Sequence, residues 1–302
     1  MLDVCLLGTG GMMPLPKRFL TSFICRLNGK MLMIDCGEST QVSLKMLGWG
    51  FKNIDIICFT HFHADHISGF VGLLLTAGNS SRTEPMHLVG PKGLESVVNS
   101  LRVIAPELPF ELIFHELDNS INSEIRIDEF EISWLQLEHR IPCVAYSINI
   151  SRSGKFDVSK ALNLNIPKSS WSKLQKNEKV IHNGKVYTSD MVLGEQRKGI
   201  KVSYCTDSRP VQGLPDFVRN SDLFICEGLY ADDEKLNKAI EYKHMLFSEA
   251  AKIAKQASVS ELWLTHFSPS LTEPREFLNV ATDIFENSVV GYDRITKTLL
   301  FN

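Results

Sequence analysis

The sequence predicts an α/β fold in which two mixed β-sheets lie between helical layers. Short apolar stretches that fit buried strands recur in both halves of the chain, and segments with helical periodicity separate them. Histidine and aspartate side chains follow several of these strands at their carboxyl ends. At 302 residues the chain can bury a full core, and we expect one domain over 1–302.

The first half of the chain predicts strands alternating with helices. Apolar and β-branched runs indicate strands at Leu2–Leu7, Ser22–Leu27, Met31–Ile34, Ile54–Thr60, Met86–Val89, Glu131–Leu137 and Val144–Ile150. Helices are expected at Gln41–Leu47, over the apolar residues from Ile67 to Leu75, and at Lys92–Ile104. Pro91 precedes that last helix and fits its start.

The second half begins with a segment of different composition. Residues 151–199 are rich in Ser, Lys, Asn and Gly with isolated apolar residues, which indicates an inserted arm rather than a core unit. Strands then return at Ile200–Cys205, Asp222–Cys226 and Glu261–Thr265, with helices near Ser248–Ala257 and Glu273–Phe285. Both halves therefore mix strands with covering helices.

The run His61-Phe62-His63-Ala64-Asp65-His66 places three imidazoles and a carboxylate in six residues, directly after a predicted buried strand. In extended backbone, residues two apart point the same way, so His61 and His63 can bind one metal ion together. Asp65 and His66 follow as the chain turns and can reach a second ion. Unpartnered polar groups at a core boundary cost about 1–3 kcal/mol each, so the cluster needs a partner.

Three later strands each end in a further candidate ligand: His139, Asp207 and His266. We expect the first metal site to consist of His61, His63 and His139, and the second of Asp65, His66 and His266. Asp207 would bridge the two, because a carboxylate has two oxygens. Imidazole and carboxylate ligands suit Zn²⁺ and, less selectively, Mn²⁺ or Fe²⁺, so two Zn²⁺ per chain are expected.

Two further residues are candidates for proton transfer. His244 lies just before a predicted helix, and Glu227 ends an apolar strand. A histidine that is not a ligand could protonate a departing oxygen, and a carboxylate could orient it. His87, His115 and His182 lack such a context and are expected to be structural or surface residues.

Composition narrows the class of protein. Seven scattered cysteines without a C-x-x-C pair are typical of a reduced, cytoplasmic protein. No apolar stretch is long enough to predict a membrane span, and no basic region precedes the apolar residues at the N-terminus, so a signal peptide is not expected. The net charge is −3, yet residues 151–201 carry eleven Lys and Arg against four Asp and Glu. That segment is therefore a candidate surface for a polyanion, although a solvated face would look the same.

The H-x-H-x-D-H pattern resembles the signature of the metallo-β-lactamase superfamily, whose fold is an αβ/βα sandwich. Within it, Leu6–Gly11, Asp35–Gln41 and Leu264–Ser270 resemble the ribonuclease Z branch, the tRNA 3′-processing endonucleases. His244 resembles the catalytic histidine of that branch's H-x-x-x-x-E-A-A-like region. The resemblance implies Zn²⁺, a homodimer, an arm that grips the tRNA elbow, and Asp65 as both ligand and general base.

Two segments depart from the pattern of that branch. Pro14–Phe19 keeps the proline and arginine of a P-x-K-x-R-N loop but not the other two positions, and the arm lacks a Gly-Pro pair after Pro167. The resemblance places RNA contacts in both regions. The candidate RNA-binding residues are accordingly Arg18, Lys173 and Lys176.

Three functions are compatible with these residues. The leading hypothesis is a dinuclear zinc endoribonuclease that removes the 3′ trailer of precursor tRNA by metal-activated attack of water on a phosphodiester. The alternative is a phosphodiesterase or hydrolase acting on a small substrate such as a cyclic nucleotide, which the two departures favour and the basic arm disfavours. The third is an RNA-binding protein without catalysis, which the complete set of seven candidate ligands disfavours.

Overall fold

The computed structural model describes residues 1–117, 124–176 and 178–301. The chain divides into two compact units, each with its own internal contacts. The core unit comprises Met1–Asn149 and Lys201–Leu300, and the arm unit consists mainly of Ile150–Ile200. Among the described residues, no helix is long and apolar enough to cross a membrane.

Within the described part of the core unit, the first sheet has seven strands in the order β16-β1-β2-β3-β4-β5-β6. Its strands are β1 (Leu2–Gly8), β2 (Ser22–Leu27), β3 (Lys30–Ile34), β4 (Ile54–Cys58), β5 (Met86–Pro91), β6 (Leu112–Leu117) and β16 (Thr296–Leu299). Strands β3 to β6 pair in parallel, so the chain leaves β3 and β4 at the same edge of the sheet.

The second sheet also has seven strands among the described residues, in the order β15-β14-β13-β12-β9-β8-β7. These strands are β7 (Glu124–Ile127), β8 (Phe130–Gln136), β9 (Val144–Arg152), β12 (Arg197–Cys205), β13 (Leu223–Glu227), β14 (Leu262–Thr265) and β15 (Ser288–Val290). Strands β12 to β15 run parallel, and β7 to β9 pair antiparallel. Both sheets are therefore mixed.

Helices flank each sheet. Those of the core unit are α1 (Thr40–Leu47), α2 (Ala64–Ile67), α3 (Phe70–Asn79), α4 (Leu94–Leu101), α7 (Leu214–Phe217), α8 (Leu236–Tyr242), α9 (Phe247–Gln256) and α10 (Leu278–Thr282). One apolar cluster joins helices to the first sheet and a second joins helices to the second sheet. Between the sheets, the buried Tyr146 on β9 donates a hydrogen bond of 2.7 Å to the Phe59 carbonyl after β4.

The arm unit is more ordered than its composition indicates. It contains α5 (Val158–Asn163), α6 (Lys168–Gln175) and a hairpin of β10 (Val180–His182) and β11 (Lys185–Tyr187). Its isolated apolar residues, among them Ala161, Leu174 and Tyr187, gather into a small core of their own. Their spacing follows no single helix or strand, so the sequence pattern did not reveal this core.

The structure contains the α/β sandwich with two mixed sheets that the sequence predicts, and every predicted strand is present. The predicted helix Lys92–Ile104 is shorter, since α4 gives way to a 3₁₀ turn at Arg102–Ile104. The predicted helix Glu273–Phe285 likewise splits into a 3₁₀ turn at Pro274–Phe277 and α10. Helix α8 was not predicted, because only Ala239 of its residues is buried and its apolar stripe is weak.

Candidate metal centre

The candidate ligands lie where strands of both sheets end. His61 follows β4, His63 precedes α2, and Asp65 and His66 belong to that helix. His139 follows β8, Asp207 follows β12, and His266 directly follows β14. Parallel strands end at one edge of a sheet, and the two facing sheets therefore bring together side chains that are far apart in the sequence, such as His66 and His266, which are separated by 200 residues.

A first cluster contains His61, His63, His139 and one oxygen of Asp207. His63 Nδ1 lies 3.0 Å from His61 Nε2 and 3.2 Å from His139 Nε2. Both Nε2 atoms lie 3.8 Å from Asp207 Oδ2. Tetrahedral Zn–N bonds of about 2.0–2.1 Å separate two nitrogens by about 3.3 Å. The four atoms are therefore spaced as ligands of one small cation.

A second cluster contains Asp65, His66, His266 and the other oxygen of Asp207. His66 Nε2 lies 3.2 Å from His266 Nε2 and 3.2 Å from Asp207 Oδ1. Asp65 Oδ2 lies 3.4 Å from His266 Nε2 and 3.7 Å from His66 Nε2. Asp207 thus turns one oxygen toward each cluster, which is the arrangement expected of a bridging carboxylate.

Backbone strain accompanies this arrangement. Asp207 and His266 both have positive φ, at 52° and 58°, in the left-handed region that side chains other than glycine rarely adopt. Each lies one or two residues beyond a buried parallel strand. The left-handed turn redirects the side chain into the space between the sheets, and such strain persists where the surrounding structure holds it.

The electrostatics of the centre favour a bound cation. Burial lowers the pKa of His61 and of His139, so both remain neutral imidazoles that can bind metal. Burial also acts to lower the pKa of His66, but the carboxylates of Asp207 and Asp35 outweigh it and raise that pKa well above its usual value. The negative charge of the buried carboxylates therefore stabilises a nearby cation, and a divalent metal ion could take the place of the proton on His66.

Sequence reasoning missed Asp35 as part of the site. This fully buried residue follows β3, has a φ of 59°, and accepts a hydrogen bond of 2.8 Å from His66 Nδ1. It also accepts hydrogen bonds from the Thr60 amide and hydroxyl, both at 2.8 Å. Asp35 thereby fixes the tautomer that turns His66 Nε2 toward the cluster. An aspartate directly after an apolar strand was the available signal.

His244 and Glu227 are brought together beside the ligands. His244 Nδ1 lies 3.0 Å from Glu227 Oε2, and Glu227 Oε1 accepts a hydrogen bond of 2.6 Å from the Ser208 amide. Burial acts to lower the pKa of His244, but the buried Glu227 carboxylate outweighs it and raises the pKa to about 9. His244 therefore tends to keep its proton, and its Nδ1 lies 3.9 Å from Asp207 Oδ2.

The glycine-rich segment at the end of β1, Gly8–Gly11, lies beside the site. A Cβ atom on Gly11 would lie 2.6 Å from the His266 ring, so only glycine fits there. The next residue, Met12, donates its amide to Asp65 Oδ2 at 2.6 Å. This segment thus positions Asp65 and His266.

The three candidate RNA-binding residues differ in whether their charged groups already have partners within the protein. Arg18 is half-buried, and its guanidinium donates to the backbone carbonyls of Ser268, Leu271 and Thr272 at 2.8–3.3 Å. It thus holds the loop that follows His266. Lys173 and Lys176 are exposed on and just after α6 of the arm unit.

The remaining histidines lie outside both clusters. His87 on β5 and His115 on β6 face each other, with Nδ1 and Nε2 2.9 Å apart. His182 ends β10 in the arm unit. The structure places none of the three among the grouped ligands of the described residues.

An open cavity of about 640 Å³ gives access to the centre. His63, Asp65, His139, Asp207 and His266 all reach its wall, together with His244. Clefts of this size are typical of sites that bind small molecules.

The sequence is similar over its full length to known proteins. The chain is 57% identical to ribonuclease Z of Clostridium kluyveri over 301 residues, which cover 100% of this chain and 99% of that protein. It is 58% identical to ribonuclease Z of Lachnospira eligens over 302 residues, with the same coverage. Residues 2–192 match the family model described as anti-Pycsar protein Apyc1, a range that ends before Asp207, His244 and His266.

Solved structures show the same fold. The short form of human tRNase Z superposes with a TM-score of 0.70 at 23% identity, covering 98% of each chain. YhfI of Bacillus subtilis, a metallo-β-lactamase fold protein, gives a TM-score of 0.70 at 19% identity over 99% of this chain and 100% of that one. The chain therefore belongs to the ribonuclease Z family of metal-dependent hydrolases with the metallo-β-lactamase fold, and its residues 2–192 also fall within the Apyc1 sequence family.

Proposed function

We propose that this protein is a dinuclear zinc endoribonuclease that cleaves the 3′ trailer from precursor tRNA. The observation that carries the proposal is the bridging aspartate, since Asp207 turns its two oxygens toward two separate ligand clusters. The full-length identity to proteins named ribonuclease Z supports the substrate. The cluster of imidazole and carboxylate donors fits Zn²⁺, with Mn²⁺ or Fe²⁺ as alternatives.

His61, His63 and His139 would hold one ion, Asp65, His66 and His266 the other, and Asp207 both. When bound there, two such ions would supply Lewis-acid activation of a water and offset the charge that develops on the phosphoryl group. Asp65 accepts the proton of the attacking water. His244, oriented by Glu227 at 3.0 Å, donates a proton to the leaving O3′. The products carry a 3′-hydroxyl upstream and a 5′-phosphate downstream.

The basic arm unit is the proposed tRNA-binding element. Residues 151–201 carry a net charge of +7, and Lys173 and Lys176 are exposed on it. Exposed lysines bind a polyphosphate backbone without sequence preference and make the affinity depend on salt. The proposal also includes a homodimer, which sedimentation of the purified protein tests.

The decisive experiment is cleavage of a precursor tRNA with a 3′ trailer, with Zn²⁺ or Mn²⁺ supplied. Wild type is expected to cut after the discriminator base, and Asp65→Ala is expected to lose the activity. His115→Ala is the matched control, because it removes a half-buried imidazole outside both clusters. Metal analysis of the same samples should give two ions per wild-type chain, and one or none would contradict the dinuclear site.

A small phosphodiester is the competing substrate. The cavity of about 640 Å³ is large enough for a cyclic nucleotide, and the P-x-K-x-R-N pattern is incomplete at Pro14–Phe19. A metal-loaded wild type that hydrolyses a cyclic nucleotide but does not cut the precursor tRNA would establish this alternative.

A further inference from the structure

One wall of the cavity is built by a segment that the proposed mechanism does not use. It runs from the end of β13 to His244 and comprises a 3₁₀ turn at Asp233–Lys235 followed by α8. Lys235, Lys238 and Tyr242 of this segment line the cavity. They are spaced three and four residues apart, which places them on one face of the helical segment.

The charged side chains of this wall that reach the cavity are positive, whereas the carboxylates of the same segment, Asp232, Asp233, Glu234 and Glu241, do not line it. Arg140, Lys235 and Lys238 reach the cavity, whereas the carboxylates among its described lining residues, Asp65 and Asp207, are candidate metal ligands. Neither Lys235 nor Lys238 forms a salt bridge with a described carboxylate, in contrast to the neighbouring Lys243, which pairs with Glu138. Lys235 Nζ lies 5.9 Å from the centroid of the Tyr230 ring, a contact that leaves its charge without a carboxylate partner. Both ammonium groups can therefore bind an anion that enters the cavity.

Tyr242 offers a flat apolar surface beside these charges. The residue is 41% exposed. The Arg140 guanidinium lies 5.1 Å from the centroid of its ring and donates to the Glu241 carbonyl at 3.3 Å. A ring held in this way is suited to stacking with a base, which typically contributes about 1–3 kcal/mol.

We propose that Lys235, Lys238 and Tyr242 form a nucleotide subsite that binds the residue immediately upstream of the scissile phosphate. The assignment rests on the proposed function. His244 lies two residues after Tyr242 and, in the proposed mechanism, donates its proton to the leaving O3′, an oxygen of the upstream nucleotide. The base of this nucleotide stacks on Tyr242, and its 5′-phosphate contacts Lys238 and Lys235.

The test compares two substrates for the same variants. Lys238→Ala should lower kcat/KM for a short RNA or precursor tRNA about tenfold more than for an aryl phosphodiester, since one phosphate contact changes affinity by roughly tenfold at ~0.1 M salt. Tyr242→Ala should show a similar difference between the two substrates. Tyr242→Phe should keep most of the wild-type kcat/KM for RNA, because the ring remains. Lys255→Ala, an exposed lysine on α9 away from the cavity, is the control with the same loss of charge.

A chemical change in the RNA locates the contact. A methylphosphonate in place of the phosphate 5′ of the upstream nucleotide should lower kcat/KM of the wild type about tenfold. The same replacement should cause little further loss of kcat/KM in Lys238→Ala, because the contact is already absent. Independent, additive losses would overturn the subsite, as would equal losses for both substrates. Failure of wild type to cut any RNA, with the aryl diester still hydrolysed, would instead refute the proposed function.

Discussion

The metal centre and the arm unit carry their charges in opposite ways. In the centre, His61, His66 and Asp207 are buried and lie within 4 Å of other charged or metal-binding groups. In the arm unit, Lys173 and Lys176 are exposed above a small apolar core. A buried charge must be compensated by its neighbours, whereas water and salt screen an exposed one. Single substitutions should therefore have large effects in the centre and small, additive effects in the arm unit.

The largest effect is expected for Asp207→Ala, which removes an oxygen from each ligand cluster. Cleavage should fall at least on the order of 10³-fold, and metal content should fall to one ion or fewer per chain. Mass spectrometry of metals and single-turnover kinetics measure the two quantities. Asp283→Ala, an exposed aspartate at the end of α10, is the control. Retention of two ions with near-normal cleavage would contradict the bridging role.

His244→Ala separates proton transfer from metal binding. The variant should keep both ions but lose about 10²–10⁴-fold in kcat, the usual range for general acid catalysis. Glu227→Gln should cost less, because the amide oxygen still accepts a hydrogen bond from His244. A substrate with a good leaving group, such as a nitrophenolate ester, needs no proton and should rescue His244→Ala. Equal losses for both substrates would argue against the acid role.

Asp35→Asn tests whether the buried partner of His66 tunes the centre. Loss of the carboxylate should weaken metal binding about 10–100-fold, which is the usual range when a hydrogen-bond partner of a metal ligand is removed. A chelator titration followed by metal analysis gives the affinity. Asp3→Asn, which removes a half-exposed ion pair with Arg26, is the control and should leave metal affinity unchanged. Unchanged affinity in Asp35→Asn would limit that residue to a structural role.

The paired change Lys173→Ala with Lys176→Ala tests the arm unit. KM for precursor tRNA should rise by roughly tenfold for each lysine removed, and the slope of log affinity against log salt should become shallower by about 2. Lys255→Ala provides the reference for loss of a lysine outside the arm unit. Filter binding over a salt series measures the slope. An unchanged slope would remove both lysines from the RNA interface.

The smallest effect is expected for Arg18→Ala, which removes the guanidinium donor from three backbone carbonyls, of which that of Ser268 still accepts from the Leu271 amide. The free energy of unfolding should fall by about 1–3 kcal/mol in urea titration. Arg18→Lys should recover part of that loss through one ammonium. A variant of unchanged stability but weakened tRNA binding would instead make Arg18 an RNA contact.

The sequence by itself determined the fold class and the seven candidate ligands. Each ligand follows a strand that its apolar residues identify, and strand ends are where side chains from both sheets can meet. Local pattern was sufficient because buried strands and clustered histidines leave strong signals over a few residues.

Only the tertiary structure decided the rest. Asp35 joins the centre because β3 ends beside β4, and Arg18 is bound by a loop about 250 residues later in the sequence. The small core of the arm unit and the cavity face of α8 likewise depend on contacts between residues that no periodicity connects. Such contacts are set by the packing of whole elements, and a local sequence pattern carries no information about which distant group will satisfy a given donor.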